Sequence, residues 1–162
     1  MTFERPLRPL TFMAAMLLSF AACAASPPVP AAHAEFYRST DAALKALPFS
    51  EAVRAGDFLF VSGEIGALPG KLVLAPGGIT GEARQAIENV RDILRRHGAT
   101  LGDVVRCTVF LADMKDWPAF NTVYREYFKP PFPARSATGA TALALGARVE
   151  LECMAYVPVA SK

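Results

Sequence analysis

Arg135 is the side chain whose neighbours best suit it for chemistry. In Pro133-Ala134-Arg135-Ser136 it opens a segment that otherwise holds Ala, Thr, Gly and Leu. An isolated arginine among small residues can hold a carboxylate through two parallel hydrogen bonds. Glu150 and Glu152, in Val149-Glu150-Leu151-Glu152, could compensate its charge, or one of them could move a proton or orient water. A structural Arg–Glu pair is the plainer reading of the same residues. Other chemistries have less behind them. His33 and His97 stand apart, and no Cys or His pair has metal-ligand spacing, which also leaves no Cys–His nucleophile. Gly63, Gly66 and Gly70 lack the strand-to-helix spacing of a phosphate loop.

The elements around these residues follow from periodicity. Residues 52–54 and 58–61 read as strands joined by Ala-Gly-Asp, and residues 72–74 as a further short strand before Pro76-Gly77-Gly78. Thr80 is placed to cap a helix running to His97, with Gly98 ending it. Ala83, Ala86, Ile87, Val90, Ile93 and Leu94 form its apolar stripe, with Glu82 and Arg84 among the charges opposite. Arg95-Arg96-His97 reads as a solvated helix end that complements the dipole. Val104–Leu111 is a β-branched strand. Asp116 before Trp117-Pro118 is a capping signal for a second helix, whose core face is Phe120, Val123, Tyr124, Tyr127 and Phe128. Residues 134–143 and 148–158 are the last two strands.

This order implies an α+β domain, a sheet with both helices on one face. On the last strand Val149, Leu151, Cys153, Ala155 and Val157 suit the covered face. Glu150, Glu152, Met154 and Tyr156 point the other way. A bare face mixing carboxylates with large apolar groups is a candidate for oligomer contact or a ligand site. Cys107 and Cys153 have core-facing parity, where a free cysteine acts as a small hydrophobe. They can pair only if their strands are neighbours.

Of 162 residues, 52% are hydrophobic and 20% charged, which excludes a disordered chain. The net charge of +2, with no basic run, gives a nucleic-acid partner no electrostatic support. Three cysteines are too few for a disulfide framework. Residues 1–22 read as an export signal, with Arg5 and Arg8 ahead of an apolar run over residues 10–22. That run is shorter than the roughly 20 residues a membrane-spanning helix needs. Phe20-Ala21-Ala22-Cys23 resembles a lipobox with Phe20 in place of the usual aliphatic residue, so a lipidated Cys23 would anchor the chain to a membrane. Ala32-His33-Ala34 is the alternative cleavage site, farther from the apolar run, and would release a soluble periplasmic protein. Residues 23–44, with Pro27, Pro28 and Pro30, read as a tether, residues 45–158 as the domain and 159–162 as a tail.

Several motifs, spaced in order over residues 45–158, carry a resemblance. The run from Phe49 to Gly63, Ala86-Ile-Glu-Asn89-Val, Asn121-Thr-Val-Tyr124, Pro133-Ala-Arg135-Ser136 and Val149-Glu150-Leu151-Glu152 are similar to the Rid family, also called YjgF/YER057c/UK114. The resemblance implies a chorismate-mutase-like fold assembled as a homotrimer, with ligand sites in clefts between subunits. It implies hydrolysis of reactive imines or enamines, such as 2-iminopropanoate and 2-iminobutanoate, to 2-oxo acids and ammonia, with no metal or organic cofactor. Carried over, Arg135 would clamp the substrate carboxylate and Glu150 would stand near the attacking water. Phe49, Ser62, Gly63, Ser136 and Ala137 would line the site. Three positions depart from the pattern: Phe49 replaces a frequent Tyr, Ala137 a frequent Cys, and Thr138 an aliphatic residue. The alternative is a non-catalytic trimer that binds small carboxylates or holds unfolded protein.

Overall fold

The computed structural model describes residues 33–158. The export signal, Cys23 and Ala32 lie outside the described residues. No helix among the described residues is long and apolar enough to cross a membrane. In chain order the elements are β1 (Glu35–Tyr37), α1 (Ala42–Lys45), β2 (Ala52–Ala55), β3 (Phe58–Ile65), α2 (Gly78–Arg96), β4 (Val104–Leu111), α3 (Trp117–Tyr127), β5 (Ala134–Gly139) and β6 (Val149–Tyr156). The six strands form one mixed sheet in the order β1-β2-β3-β6-β4-β5. All pairs are antiparallel except β4–β5, whose parallel pairing uses α3 as the crossover.

The α+β expectation holds, with α2 and α3 on one face. Strand alternation sends Leu59, Val61, Val109, Leu111, Val149, Leu151 and Ala155 to that face. They join Ala83, Ile87, Val90, Leu94, Phe120 and Val123 of the helices in one core. Asp116 departs from its expected role. It stands at the head of α3, but its side chain makes no capping hydrogen bond. Both carboxylate oxygens instead accept from Arg148, from Nε at 2.9 Å and Nη2 at 2.8 Å. Glu82, expected among solvated charges, is buried, and its Oε2 accepts from the Arg148 backbone N–H at 2.7 Å. These bonds tie the entry of β6 to the N-terminal ends of both helices.

Other boundaries also move. Residues 72–74 form no strand; a single bridge joins Ala67 to Leu74, and Leu72 and Val73 are exposed. Their apolar character signalled pairing, but no longer partner lies alongside. Helix α2 begins at Gly78 rather than Thr80, because Gly77 takes the left-handed conformation (φ 101°) that starts it early. β5 ends at Gly139, not at residue 143: its partner β4 ends at Leu111, whose carbonyl accepts the Ala140 N–H and closes the ladder. Part of the stretch read as tether belongs to the fold. β1 pairs with β2 in register, and Tyr37 stacks on His97 with ring centroids 4.0 Å apart. The end of α2 is also less solvated than its charges suggest. Arg96 Nη2 donates to Glu51 at 2.9 Å, and His97 Nε2 lies 2.9 Å from the same carboxylate, which is buried.

Cys107 and Cys153 are not free hydrophobes. β4 and β6 are neighbours, the two residues are register partners, and they form a disulfide on the core face. The crosslink spans a sequence separation of 46 residues. Closing a loop of that size stabilises the fold by about 2–4 kcal/mol through the unfolded chain. Refolding in strong reductant should lower the denaturant midpoint accordingly, and a Cys107→Ala/Cys153→Ala protein should show the lower midpoint with no further response to reductant. Equal midpoints with and without reductant in the parent protein would show that the bond does not stabilise the domain.

Candidate functional site

Arg135 enters the site from the edge strand. Its register partner on β4 is Cys107, so its side chain leaves the sheet on the helix-covered face. There α3 receives it. Trp117, Asn121 and Tyr124 follow at spacings of four and three, which places them along one side of the helix. The guanidinium carbon lies 4.4 Å from the Tyr124 ring centroid, 4.6 Å from Trp117 and 5.7 Å from Phe120. Nη2 donates to Asn121 Oδ1 at 2.7 Å, and Nη1 is buried without a partner. No carboxylate among the described residues forms an ion pair with Arg135. The expected pairing with Glu150 or Glu152 is therefore absent within one chain. Burial lowers the pKa of Arg135 from its ordinary value, with Arg125 adding to the effect and Tyr124 opposing it. Burial pushes Tyr124 up to about 12, against the pull of Arg135.

Glu150 belongs to the opposite face. It pairs with Phe110 of β4 and Ile65 of β3, at the parity of the open side. Its carboxylate rests on Gly63. A Cβ at position 63 would lie 2.0 Å from Glu150 Oε1, so this conformation of Glu150 requires a glycine there. The register of β3 shifts between Val61 and Glu64, and the irregularity carries Ser62 and Gly63. Ser62 donates its hydroxyl to the Ser50 carbonyl at 2.7 Å, tying the bulge to the residue after Phe49. Phe49 is 45% exposed. Burial, and secondarily Glu152, raise the pKa of Glu150.

The residues singled out in the sequence thus fall into two groups. Ser62, Gly63 and Glu150 come together at the β3–β6 junction, with Phe49 close by in the chain. Ser136 shares the parity of the open face through its pairing with Thr108, which pairs with Glu152. Arg135 and Ala137 occupy the other face, where Ala137 packs against the core. A recess of about 270 Å³ on the open face is lined by Phe60, Ser62, Arg106, Thr108, Glu152 and Met154 among others. Asn121, Trp117 and Tyr124 acquire importance only here. Their shared spacing was visible, but an aromatic stripe at helical spacing reads as core until an arginine is seen to lie on it.

The chain matches the family described as Endoribonuclease L-PSP over residues 40–157. A goat protein named 2-iminobutanoate/2-iminopropanoate deaminase is 44% identical over 108 residues, 67% of this chain and 79% of that protein. The crystal structure of the yeast protein YEO7 superposes with a TM-score of 0.72 at 33% identity, covering 77% of this chain and 99% of that one. A Mycobacterium tuberculosis structure described as a member of the YjgF/YER057c/UK114 family gives 0.66 at 31% identity, over 77% of this chain and all of that one.

One more carboxyl group lies beside the site. Glu64, just past the bulge, has its pKa raised from 4.5 to about 8, first by burial, then by Glu51; Glu150 adds to the rise and Arg96 opposes it. A carboxyl group whose folded pKa exceeds its unfolded one contributes stability that is complete below the unfolded value. That stability is lost as pH climbs through the folded value. Thermal melts should therefore show Glu64→Gln more stable than the parent above pH 8, with the difference shrinking toward pH 4.5. Melting curves that stay parallel across this window would show that Glu64 is not held protonated.

Proposed function

The chain belongs to the Endoribonuclease L-PSP family, also named YjgF/YER057c/UK114, and from that premise we propose that it hydrolyses 2-imino acids of the 2-iminobutanoate and 2-iminopropanoate kind. The products are the 2-oxo acid and ammonia. The observation on which this rests is Arg135: a half-buried guanidinium held by Asn121 and aromatic rings, with one nitrogen uncommitted and no carboxylate among the described residues as counter-ion. A buried cation without a partner is costly unless a ligand supplies one. A small substrate carboxylate does so.

Arg135 holds that carboxylate and thereby fixes the adjacent C=N carbon. Glu150 takes a proton from water as the oxygen bonds to that carbon and the C=N π pair moves to nitrogen, and returns the proton to nitrogen to give a carbinolamine. The Glu150 carboxylate then carries the hydroxyl proton to nitrogen as C=O forms and the C–N bond breaks, releasing ammonia. Its raised pKa makes the carboxylate a better base. Phe49 and Ala137 offer apolar walls, and Ser62, Gly63 and Ser136 shape the approach. Because Arg135 and Glu150 leave opposite faces of one sheet, they act on one substrate if each site is completed by a second copy. This supports assembly as a homotrimer with sites between subunits. The large side chains Phe58, Phe60, Met154 and Tyr156 on the same open face favour burial against another copy.

The reading extends to location: the chain is exported to the periplasm, anchored through lipidated Cys23 or cleaved after Ala34. The Cys107–Cys153 disulfide supports this, since such bonds persist in oxidising compartments.

Ammonia release should exceed the spontaneous rate when the protein meets 2-imino acids generated in situ by an amino-acid oxidase. Arg135→Ala should reduce kcat/KM by about 100-fold, as expected for loss of a charged hydrogen-bonded pair worth roughly 3 kcal/mol. Gly63→Ala should displace the Glu150 carboxylate and lower kcat about tenfold or more, with little change in Tm, because the obstructing atom ends a flexible side chain. Calorimetric binding of 2-oxobutanoate without any turnover would instead identify a non-catalytic carboxylate-binding protein.

A further inference from the structure

Two buried side-chain polar atoms among the described residues have no hydrogen-bond partner, and they belong to touching residues: Tyr124 Oη and Arg135 Nη1. Tyr124 is 4% exposed, packed against Phe120 and Phe128 with ring centroids 5.7 and 4.3 Å away. As a packing element alone the ring would serve without its oxygen, because a buried hydroxyl with no partner is destabilising. Asn121 already occupies Nη2, so the open valences of the arginine and the tyrosine remain as a pair. Both are donors. A donor pair of this kind suits an anionic acceptor with at least one oxygen to share.

We propose that Tyr124 is a second binding residue for the ligand carboxylate, its hydroxyl donating to the oxygen that Arg135 Nη1 also holds, so that the two together determine selectivity for 2-oxo and 2-imino acids over uncharged carbonyl compounds. This rests on the carboxylate-clamp reading of Arg135. With a pKa near 12, the phenol stays protonated and remains a donor throughout the working range. Trp117 closes the same box, 4.6 Å from the guanidinium carbon, and is the one tryptophan of the chain. Occupation of the site is therefore reported by its fluorescence.

The test uses Tyr124→Phe, which keeps the ring and removes the oxygen. Binding of 2-oxobutanoate is followed by Trp117 fluorescence, with 2-butanone as the uncharged comparison, alongside ammonia release and thermal melting. The expected result is a rise of about tenfold in both Kd for 2-oxobutanoate and KM. Affinity for 2-butanone and kcat should change less than twofold, and Tm should be unchanged or higher. A tyrosine whose hydroxyl bonded only within the fold would instead lower Tm and kcat together with no change in Kd, which overturns the proposal. So does a variant that binds and turns over like the parent. If the parent itself neither binds 2-oxobutanoate nor releases ammonia, the Arg135 clamp fails, and this proposal falls with it. If Arg135→Ala weakens binding while Tyr124→Phe does not, only the tyrosine assignment is lost.

Discussion

β4 shares its hydrogen bonds with β5 on one side and β6 on the other, and that double register decides which side chains can meet. Through it Arg135 and Cys153 are both aligned with Cys107, on the helix side. Thr138 and Glu150 are both aligned with Phe110, on the open side. Because side chains alternate, a slip of one residue between β4 and β5 would turn Arg135 away from its aromatic bed, and one between β4 and β6 would turn Glu150 toward the helices. The disulfide crosslinks the antiparallel half of this arrangement at the position level with Arg135. The arginine's placement is thus a consequence of backbone pairing before any polar contact is made.

The two halves of the site face different electrostatic problems. On the helix side a cation is desolvated and met by ring faces and one amide oxygen, which stabilise it only in part. On the open side and around the bulge the excess is negative: Glu150 is raised by burial and Glu152, and Glu64 by burial, Glu51 and Glu150. Arg96 relieves Glu51, which also lies within hydrogen-bond distance of His97 Nε2, while Arg96 only partly relieves Glu64. Within a single chain neither half neutralises the other. Under the proposed function an anionic substrate meets the deficit at Arg135, and carboxyl groups with raised pKa values are suited to exchange protons close to neutrality.

Much of the layout was legible before any coordinates. Val104–Leu111 stood out because β-branched residues dominate it, α2 because six apolar residues repeat at helical spacing, and β6 because its two residue sets differ so sharply. What escaped depended on strand order, which local periodicity does not encode. The disulfide needed β4 beside β6, and the separation of Arg135 from Glu150 needed the parity of three paired strands. β1 was lost because three residues are too few for a pattern, and because its anchor, Tyr37 on His97, joins positions 60 residues apart. Residues 72–74 erred the other way, as apolar side chains with no strand to receive them. The motif resemblance drew attention to Arg135, Glu150, Ser62 and Gly63. It left Tyr124 unassigned, since nothing in a motif distinguishes a satisfied phenol from an unpartnered one.

The aromatic bed must itself be held still, and the means is the relocated role of Asp116. Had its carboxylate capped α3, the helix would gain a local bond and could still shift along the sheet. Bonded to Arg148 through both oxygens, it instead fixes the first turn of α3 to the residue that enters β6, one position from the strand that carries Glu150. Glu82 adds α2 to the same residue through its backbone N–H. Trp117 follows Asp116 directly, and Asn121 and Tyr124 lie within the next two turns, so the groups that cradle Arg135 inherit their position from this bond. A charged pair of this geometry is worth more than an exposed one because Asp116 is largely shielded from water. Fixing α3 against β6 is also what holds the aromatic bed of Arg135 in place on the helix side of the sheet. Proximity effects in catalysis are lost over shifts of about 1 Å, so under the proposed function this remote ion pair is a positioning element for the Arg135 clamp as well as a brace for the fold.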